Sequence, residues 1–129
     1  MKANIRKFRL SEQFILPYID KEVPWGPVGY VTFKRTYSRR LNEFSPDAEG
    51  TEEWWQTCRR VIEGMFDMQK QHVYFLGLEW NDGKAQATAK DAYDRLFNLK
   101  WTPPGRGLWM MGTKFVEERT AAGLFNCAF

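Results

Sequence analysis

Two cysteines, one histidine and one glycine-flanked arginine are the residues of this sequence whose chemistry could carry a reaction or hold an anion. Cys58 shares a helical stripe with Trp54, Trp55 and Ile62, the setting of a thiol packed in a core. Cys127 sits in Phe125-Asn126-Cys127-Ala128-Phe129, and on residue type alone it reads as a structural strand cysteine ahead of a reactive thiol. His72 has no Ser, Cys or Asp near it in a triad pattern and reads as a surface or loop residue. In Pro103-Pro104-Gly105-Arg106-Gly107 the two glycines let backbone N–H groups converge on an anion, and the Arg106 guanidinium can add a bidentate contact. The same residues also make an ordinary tight turn, and the lysine-Ser/Thr ending of a P-loop is absent. Asp91 and Asp94 share a helix face without an acid–base partner. One histidine and two cysteines cannot fill a four-ligand zinc site, so no metal site is expected, and two widely spaced cysteines do not read as a disulfide framework.

The elements that must position these groups are mainly helical. Thr51 stands where an N-cap belongs, followed by Glu52 and Glu53 in a first turn. Trp54, Trp55, Cys58, Val61, Ile62, Met65 and Phe66 then trace an apolar face wide enough to be buried on two sides. A second helix is expected over about 84–98, with Ala85, Ala89, Ala92, Tyr93, Leu96 and Phe97 inward, and Asp91, Asp94 and Arg95 mostly toward water. Between the two, Val73-Tyr74-Phe75-Leu76 is a short apolar run and Asn81-Asp82-Gly83 a turn signal. Tyr30, Phe33, Tyr37 and Leu41 predict a helix over 29–41. Ser11 can cap a short helical turn through Phe14 that Pro17 interrupts, and Val23–Pro27 is a rigid connector. Thr102–Gly107 cannot continue a helix, 114–120 predicts a short one, and the run Leu124–Phe129 predicts a buried strand. That strand has no convincing partner elsewhere in the sequence, which marks the fold as incomplete without further polypeptide.

The 129 residues suit one domain, and 43% hydrophobic and 16% aromatic content demands a packed core. No apolar run approaches the ~18 residues of a membrane span. The N-terminus intersperses charges among its apolar residues, unlike a secretory signal, so a cytoplasmic protein is expected. A surplus of three positive charges is a weak pointer to an anionic partner. The nearest basic cluster, Lys34, Arg35, Arg39 and Arg40 beside Tyr30, Phe33 and Tyr37, reads as a solvated helix face ahead of a nucleic-acid site.

Several segments, in order, resemble the N-terminal part of adenosylcobalamin-dependent (class II) ribonucleotide reductases of the ribonucleoside-triphosphate type. They are Trp25-Gly26 with Gly29-Tyr30-Val31-Thr32-Phe33-Lys34-Arg35-Thr36-Tyr37-Ser38-Arg39, then Glu53-Trp54 with Arg59-Arg60-Val61-Ile62-Glu63-Gly64. Pro103-Pro104-Gly105-Arg106-Gly107-Leu108-Trp109 with Gly112-Thr113 follows, then Asn126-Cys127 with Phe129. No single motif is decisive, but the ordered set is specific and covers nearly the whole chain.

The resemblance implies a fold: a helical N-terminal region, residues 1–121, leading into the first strand, 122–129, of a ten-stranded α/β barrel that is otherwise absent from this chain. The chain would be the front fifth or so of such a protein. The resemblance also implies that Cys127 is one of two thiols that reduce the ribose 2′ carbon after a thiyl radical, generated with adenosylcobalamin, takes the 3′ hydrogen. The second thiol, the radical cysteine and the cobalamin pocket lie downstream in the family, so this chain is expected to be inactive by itself. Implied partners are the remainder of the reductase, a ribonucleoside triphosphate and a thioredoxin-type reductant, with no membrane and no nucleic acid. Substrate contacts are expected at Asn126 and at Gly105, Arg106 and Gly107, the last three holding phosphate or, alternatively, only tying the loop to the barrel wall. Two other readings compete: a small basic-aromatic helical module that binds nucleic acid without catalysis, and a non-catalytic remnant, against which the presence of Cys127 argues.

Overall fold

The widest apolar stripe of the sequence becomes the longest helix, and the other elements are laid around it. The computed structural model describes residues 5–119. In chain order the helices are α1 (Glu12–Ile19), α2 (Pro27–Thr36), α3 (Trp54–Phe75), α4 (Asp82–Phe97), α5 (Gly105–Met110) and α6 (Lys114–Arg119). A single 3-10 turn, Leu41–Glu43, lies between α2 and α3. Among the described residues the extended pairing amounts to one isolated antiparallel bridge, Arg40 to Thr51. The strand expected over 122–129, with Asn126 and Cys127, lies outside the described residues.

α3 and α4 form an antiparallel hairpin that carries most of the core. Cys58, Val61, Ile62 and Phe66 of α3 are buried against Ala85, Ala89, Tyr93, Leu96 and Phe97 of α4, while Ala92, Trp55 and Met65 are half-buried. Two hydrogen bonds lock the open end of the hairpin: Trp54 Nε1 donates to the Phe97 carbonyl at 3.0 Å, and the Tyr93 hydroxyl to the Trp55 carbonyl at 3.0 Å. The run Val73–Leu76 is the end of α3 and its cap. Gly77 takes φ +73° there, and the Leu78 N–H returns to the Val73 carbonyl at 3.0 Å, a glycine-dependent stop. Asn81-Asp82-Gly83 opens α4, with the Asn81 side chain accepting the Lys84 N–H at 3.1 Å.

Three expected boundaries are corrected. Thr51 does not cap α3: Glu53 holds that position, its N–H donating to Gln56 Oε1 at 2.7 Å, because Thr51 is bridged to Arg40 and Glu52 is drawn into the core. The helix expected over 29–41 runs instead over Pro27–Thr36. Pro27, at its first position, has the φ a helix start needs. It stops early because Arg39 pairs its N–H with Glu52 Oε1 and its carbonyl with the Glu52 N–H. Pro17 does not end α1, which continues to Ile19. One absent donor at an exposed position costs less than the burial of Ile15 and Tyr18 gains, and the Tyr18 hydroxyl donates to Asp94 Oδ1 at 2.5 Å. Ser11 stands at the N-cap of α1 without a side-chain capping bond.

Before α1, residues 7–10 run extended along α3 with Phe8 and Leu10 buried and Lys7 and Arg9 outward. α3 supplies the acceptors a sheet would otherwise provide. The Phe8 N–H donates to Asp67 Oδ1 at 3.0 Å and the Leu10 N–H to Glu63 Oε2 at 2.7 Å.

Candidate functional site

The glycine–arginine loop sits at the start of α5, and its position is set from beneath by α2, α3 and the segment between them. Pro104 takes the N-cap position of α5, whereas α4 has already ended at Phe97, capped by Asn98 ahead of a positive-φ Leu99. Trp101 ties the approach to α4 through Nε1 and the Ala92 carbonyl at 3.1 Å. Two glycines of the loop are closely approached by their neighbours. A Cβ on Gly105 would lie 3.3 Å from the Tyr37 ring and hydroxyl, and one on Gly107 would lie 3.1 Å from Pro103. Gly107 is buried, while Gly105 and Arg106 face outward.

At the other end of α5 the chain meets a buried ion pair. Arg60 and Glu52 have side chains 5% and 2% exposed, with Arg60 Nε 2.9 Å from Glu52 Oε2 and Nη2 3.0 Å from Oε1. Glu52 Oε1 also accepts the Arg39 N–H at 2.9 Å and the Thr57 hydroxyl at 3.0 Å. The Arg60 guanidinium then reaches over to α5, donating to the carbonyls of Leu108 at 2.7 Å, Met111 at 2.6 Å and, more weakly, Trp109 at 3.4 Å. Arg39 stacks its own guanidinium 4.5 Å from the Trp109 ring and pairs with Glu43 at 2.9 Å. The backbone beyond α5 touches α3 directly: a Cβ on Gly112 would fall 2.5 Å from the Arg60 carbonyl oxygen, and one on Gly64 2.6 Å from the Gly112 nitrogen.

The charged groups of this arrangement are locked on one another and offer no acid–base pair. Cys58 is sealed beneath it, and burial first, then the Glu52 charge, pushes its thiol well above the ordinary value, which keeps it protonated and inert. His72 is exposed near the end of α3 and stacks on Phe75. Asp91 pairs with Arg95 on the surface, whereas Asp94 is half-buried under the Tyr18 hydroxyl, a structural acceptor and not a solvated one. The expected basic face is divided. Lys34 pairs with Glu53 at 2.9 Å and Arg39 turns onto Trp109 and Glu43, leaving Arg35 and Arg40 exposed. Two of the four cations of that cluster are thus committed to partners within the chain.

Glu52 and Arg60 are the residues that sequence reasoning assigned to the wrong task or to none. The signal was Thr57, Arg60 and Gly64 at i, i+3 and i+7, a polar and small stripe beside the apolar one, with an acid just before the helix.

With this geometry in place, likeness to known proteins can be read. A family profile for the ribonucleotide reductase alpha domain matches residues 10–113. The chain belongs to the ribonucleotide reductase alpha-domain family.

The chain is 37% identical, over its whole length, to the probable adenosylcobalamin-dependent ribonucleoside-triphosphate reductase of Dictyostelium discoideum, and covers 17% of that protein. It is 36% identical over 95% of its length to the adenosylcobalamin-dependent ribonucleoside-triphosphate reductase of Euglena gracilis, again covering 17% of the relative. A crystal structure of a B12-dependent (class II) ribonucleotide reductase superposes with a TM-score of 0.74 at 30% identity, covering 92% of this chain and 16% of that one. The chain thus spans about one sixth of the length of the reductases it matches, and what it matches is their N-terminal helical segment. Within this reductase segment, Gly105, Arg106 and Gly107 occupy the first turn of α5, while the other expected site residues, Asn126 and Cys127, lie outside the described residues. Among the described residues no helix is long and apolar enough to cross a membrane.

Proposed function

We propose that this chain is the N-terminal piece of an adenosylcobalamin-dependent ribonucleoside-triphosphate reductase, which converts ribonucleotides to 2′-deoxyribonucleotides. What carries the reading is the likeness, over 95% or more of this chain, to reductases so named, joined to a fold that superposes on the class II enzyme at 30% identity. In this reading residues 1–121 form the helical region and 122–129 the first strand of a ten-stranded α/β barrel completed by polypeptide outside this chain. Cys127 is one of two reducing thiols, the second coming from that remainder. The C2′–OH bond breaks and the oxygen leaves as water; the two thiols supply the two hydrogens and two electrons and end as a disulfide. The reaction follows hydrogen abstraction at C3′ by a thiyl radical outside this chain, and a thioredoxin-type reductant reopens the disulfide for the next turnover. Gly105, Arg106 and Gly107, with Asn126, hold the nucleoside triphosphate, Arg106 through its guanidinium.

Adenosylcobalamin does not fit the residues described here. Of the side chains able to ligate cobalt, His72 is exposed at the end of α3 and Cys58 is sealed in the core. Two clefts among the described residues, about 550 and 650 Å³, are open surface hollows lined with ion pairs and aromatic edges. We therefore assign the cofactor to the remainder of the reductase, and the isolated chain to no turnover.

The test is made in the reductase assembled with that remainder. Cys127→Ser abolishes repeated turnover driven by a thioredoxin-type reductant; undiminished turnover overturns the assignment of Cys127. Arg106→Ala raises KM for the triphosphate by about tenfold or more while kcat falls much less, the pattern of lost uniform binding. An unchanged KM removes the phosphate role from Arg106.

A further inference from the structure

The guanidinium of Arg60 has five N–H donors, and the structure gives it five acceptor contacts, two on Glu52 and one each on the carbonyls of Leu108, Trp109 and Met111. Those carbonyls belong to the end of α5 and the residue that follows it. A helix leaves its last four carbonyls without intrahelical partners, and here each of the four is answered. Gly107 accepts the Met111 N–H at 3.1 Å, Leu108 and Trp109 accept Arg60, and Met110 accepts the Thr113 hydroxyl at 2.6 Å and its N–H at 3.1 Å. A six-residue helix is far too short to hold itself together by its own ladder, so its direction is decided by what grips its end. Arg60 provides that grip, and Glu52, itself fixed by the Arg39 N–H and the Thr57 hydroxyl, holds the Arg60 fork in place.

We propose that Arg60, oriented by Glu52, is a positioning residue for the substrate loop: it fixes the path of Gly105–Gly112 and thereby the place from which Arg106 meets the nucleoside triphosphate. This rests on reading Gly105–Gly107 as the triphosphate loop. The pair acts through geometry more than through stability, since buried ion pairs are commonly no more stabilising than apolar side chains of similar volume but are far more demanding of direction. A lysine at position 60 keeps the charge and loses the fork, so it cannot satisfy a bidentate carboxylate and three carbonyls together.

The experiment compares Arg60→Lys, Glu52→Gln and Arg106→Ala in the assembled reductase, reading KM and kcat for the triphosphate and, without nucleotide, amide hydrogen exchange over 105–112. Arg60→Lys is expected to speed exchange in that segment and raise KM by about tenfold, with kcat reduced far less. Glu52→Gln keeps an acceptor for Arg60 and Thr57, serves as the second variant should Arg60→Lys fail to fold, and moves both readouts the same way by a smaller factor. Faster exchange with an unchanged KM in both variants overturns the proposal, leaving the pair a purely structural clasp. Unchanged exchange in both overturns it as well. Arg106→Ala separates the two readings: if it raises KM while the Arg60 and Glu52 variants do not, positioning alone fails. If it leaves KM unchanged, the triphosphate loop itself is misplaced.

Discussion

Gly112 combines a φ of +79° with backbone contact against α3, and few single positions in the chain are so constrained. Alanine there would have to adopt a left-handed backbone and place its Cβ 2.5 Å from the Arg60 carbonyl, on the residue that holds α5. Gly112→Ala is expected to destabilise the fold by about 2–4 kcal/mol, from strain plus overpacking, measured as a shift in the urea midpoint with an unchanged slope. A loss below about 0.5 kcal/mol, the range of ordinary surface changes, would mean that the turn relaxes freely. Removing one member of the Arg60–Glu52 pair and leaving the other buried is worse, about 3–5 kcal/mol, which is why informative variants of the pair retain hydrogen-bonding groups. The contact between Gly112 and Gly64 is not visible at the residue level in the sequence. Gly112 and Gly64 each look like tolerated small residues, and only their meeting across 48 positions, 2.6 Å from a would-be Cβ, explains them.

At the scale of elements, the attachment of residues 7–10 to α3 depends on Glu63 and Asp67, one helical turn apart. Burial pushes the Glu63 carboxyl above its ordinary value of 4.5, outweighing the pull of the Arg59 charge and of the Leu10 N–H. The consequence for stability has a definite sign. Below that ordinary value both the folded and unfolded chains hold the proton, and the contribution is complete. As the pH rises the unfolded chain ionises first, so stability is lost until the folded carboxyl ionises too. Glu12, lowered by the hydrogen bond and charge of Arg59, acts in the opposite direction, stabilising above its ordinary value and losing this as pH falls, but it is exposed and screened. Glu63→Gln, which keeps an acceptor for Leu10 and Arg59, should therefore flatten the fall in Tm from pH 4.5 toward neutrality and match or exceed the parent at pH 7. A profile as steep as the parent's would show that another group carries the dependence.

At the scale of the whole molecule, the core is well filled on the α3–α4 side, while large apolar side chains remain outside it. Phe75 is 84% exposed at the α3–α4 turn, next to Leu76 and Leu78, and Val28 and Val31 stand out from α2. Contiguous surface of this kind is uncommon on a self-sufficient monomer, and the chain spans only 17% of the reductases it resembles. The isolated 129-residue chain is expected to self-associate with rising concentration. Sedimentation velocity would register this, and Phe75→Ser with Leu78→Ser would reduce it without changing the helical circular dichroism. A chain that stays monomeric at high concentration would mean that these side chains are harmless in water.

The sequence by itself determined the two long helices, their inward faces, the short helix before residue 120, the buried and inert Cys58, and the family, because each rests on a local period or on an ordered set of motifs. The strand, Asn126 and Cys127 remain expectations of the sequence alone. Tertiary structure decided where α2 stops, why α1 passes Pro17, and that Glu52 leaves the first turn of α3 to join Arg60. It also decided that half of an apparent basic face turns inward. The physical reason is common to these cases. Local propensity is worth about a kcal/mol or less per residue, whereas burying an aromatic side chain or satisfying a buried charge is worth several. Those larger energies depend on partners that the chain brings together from tens of residues away.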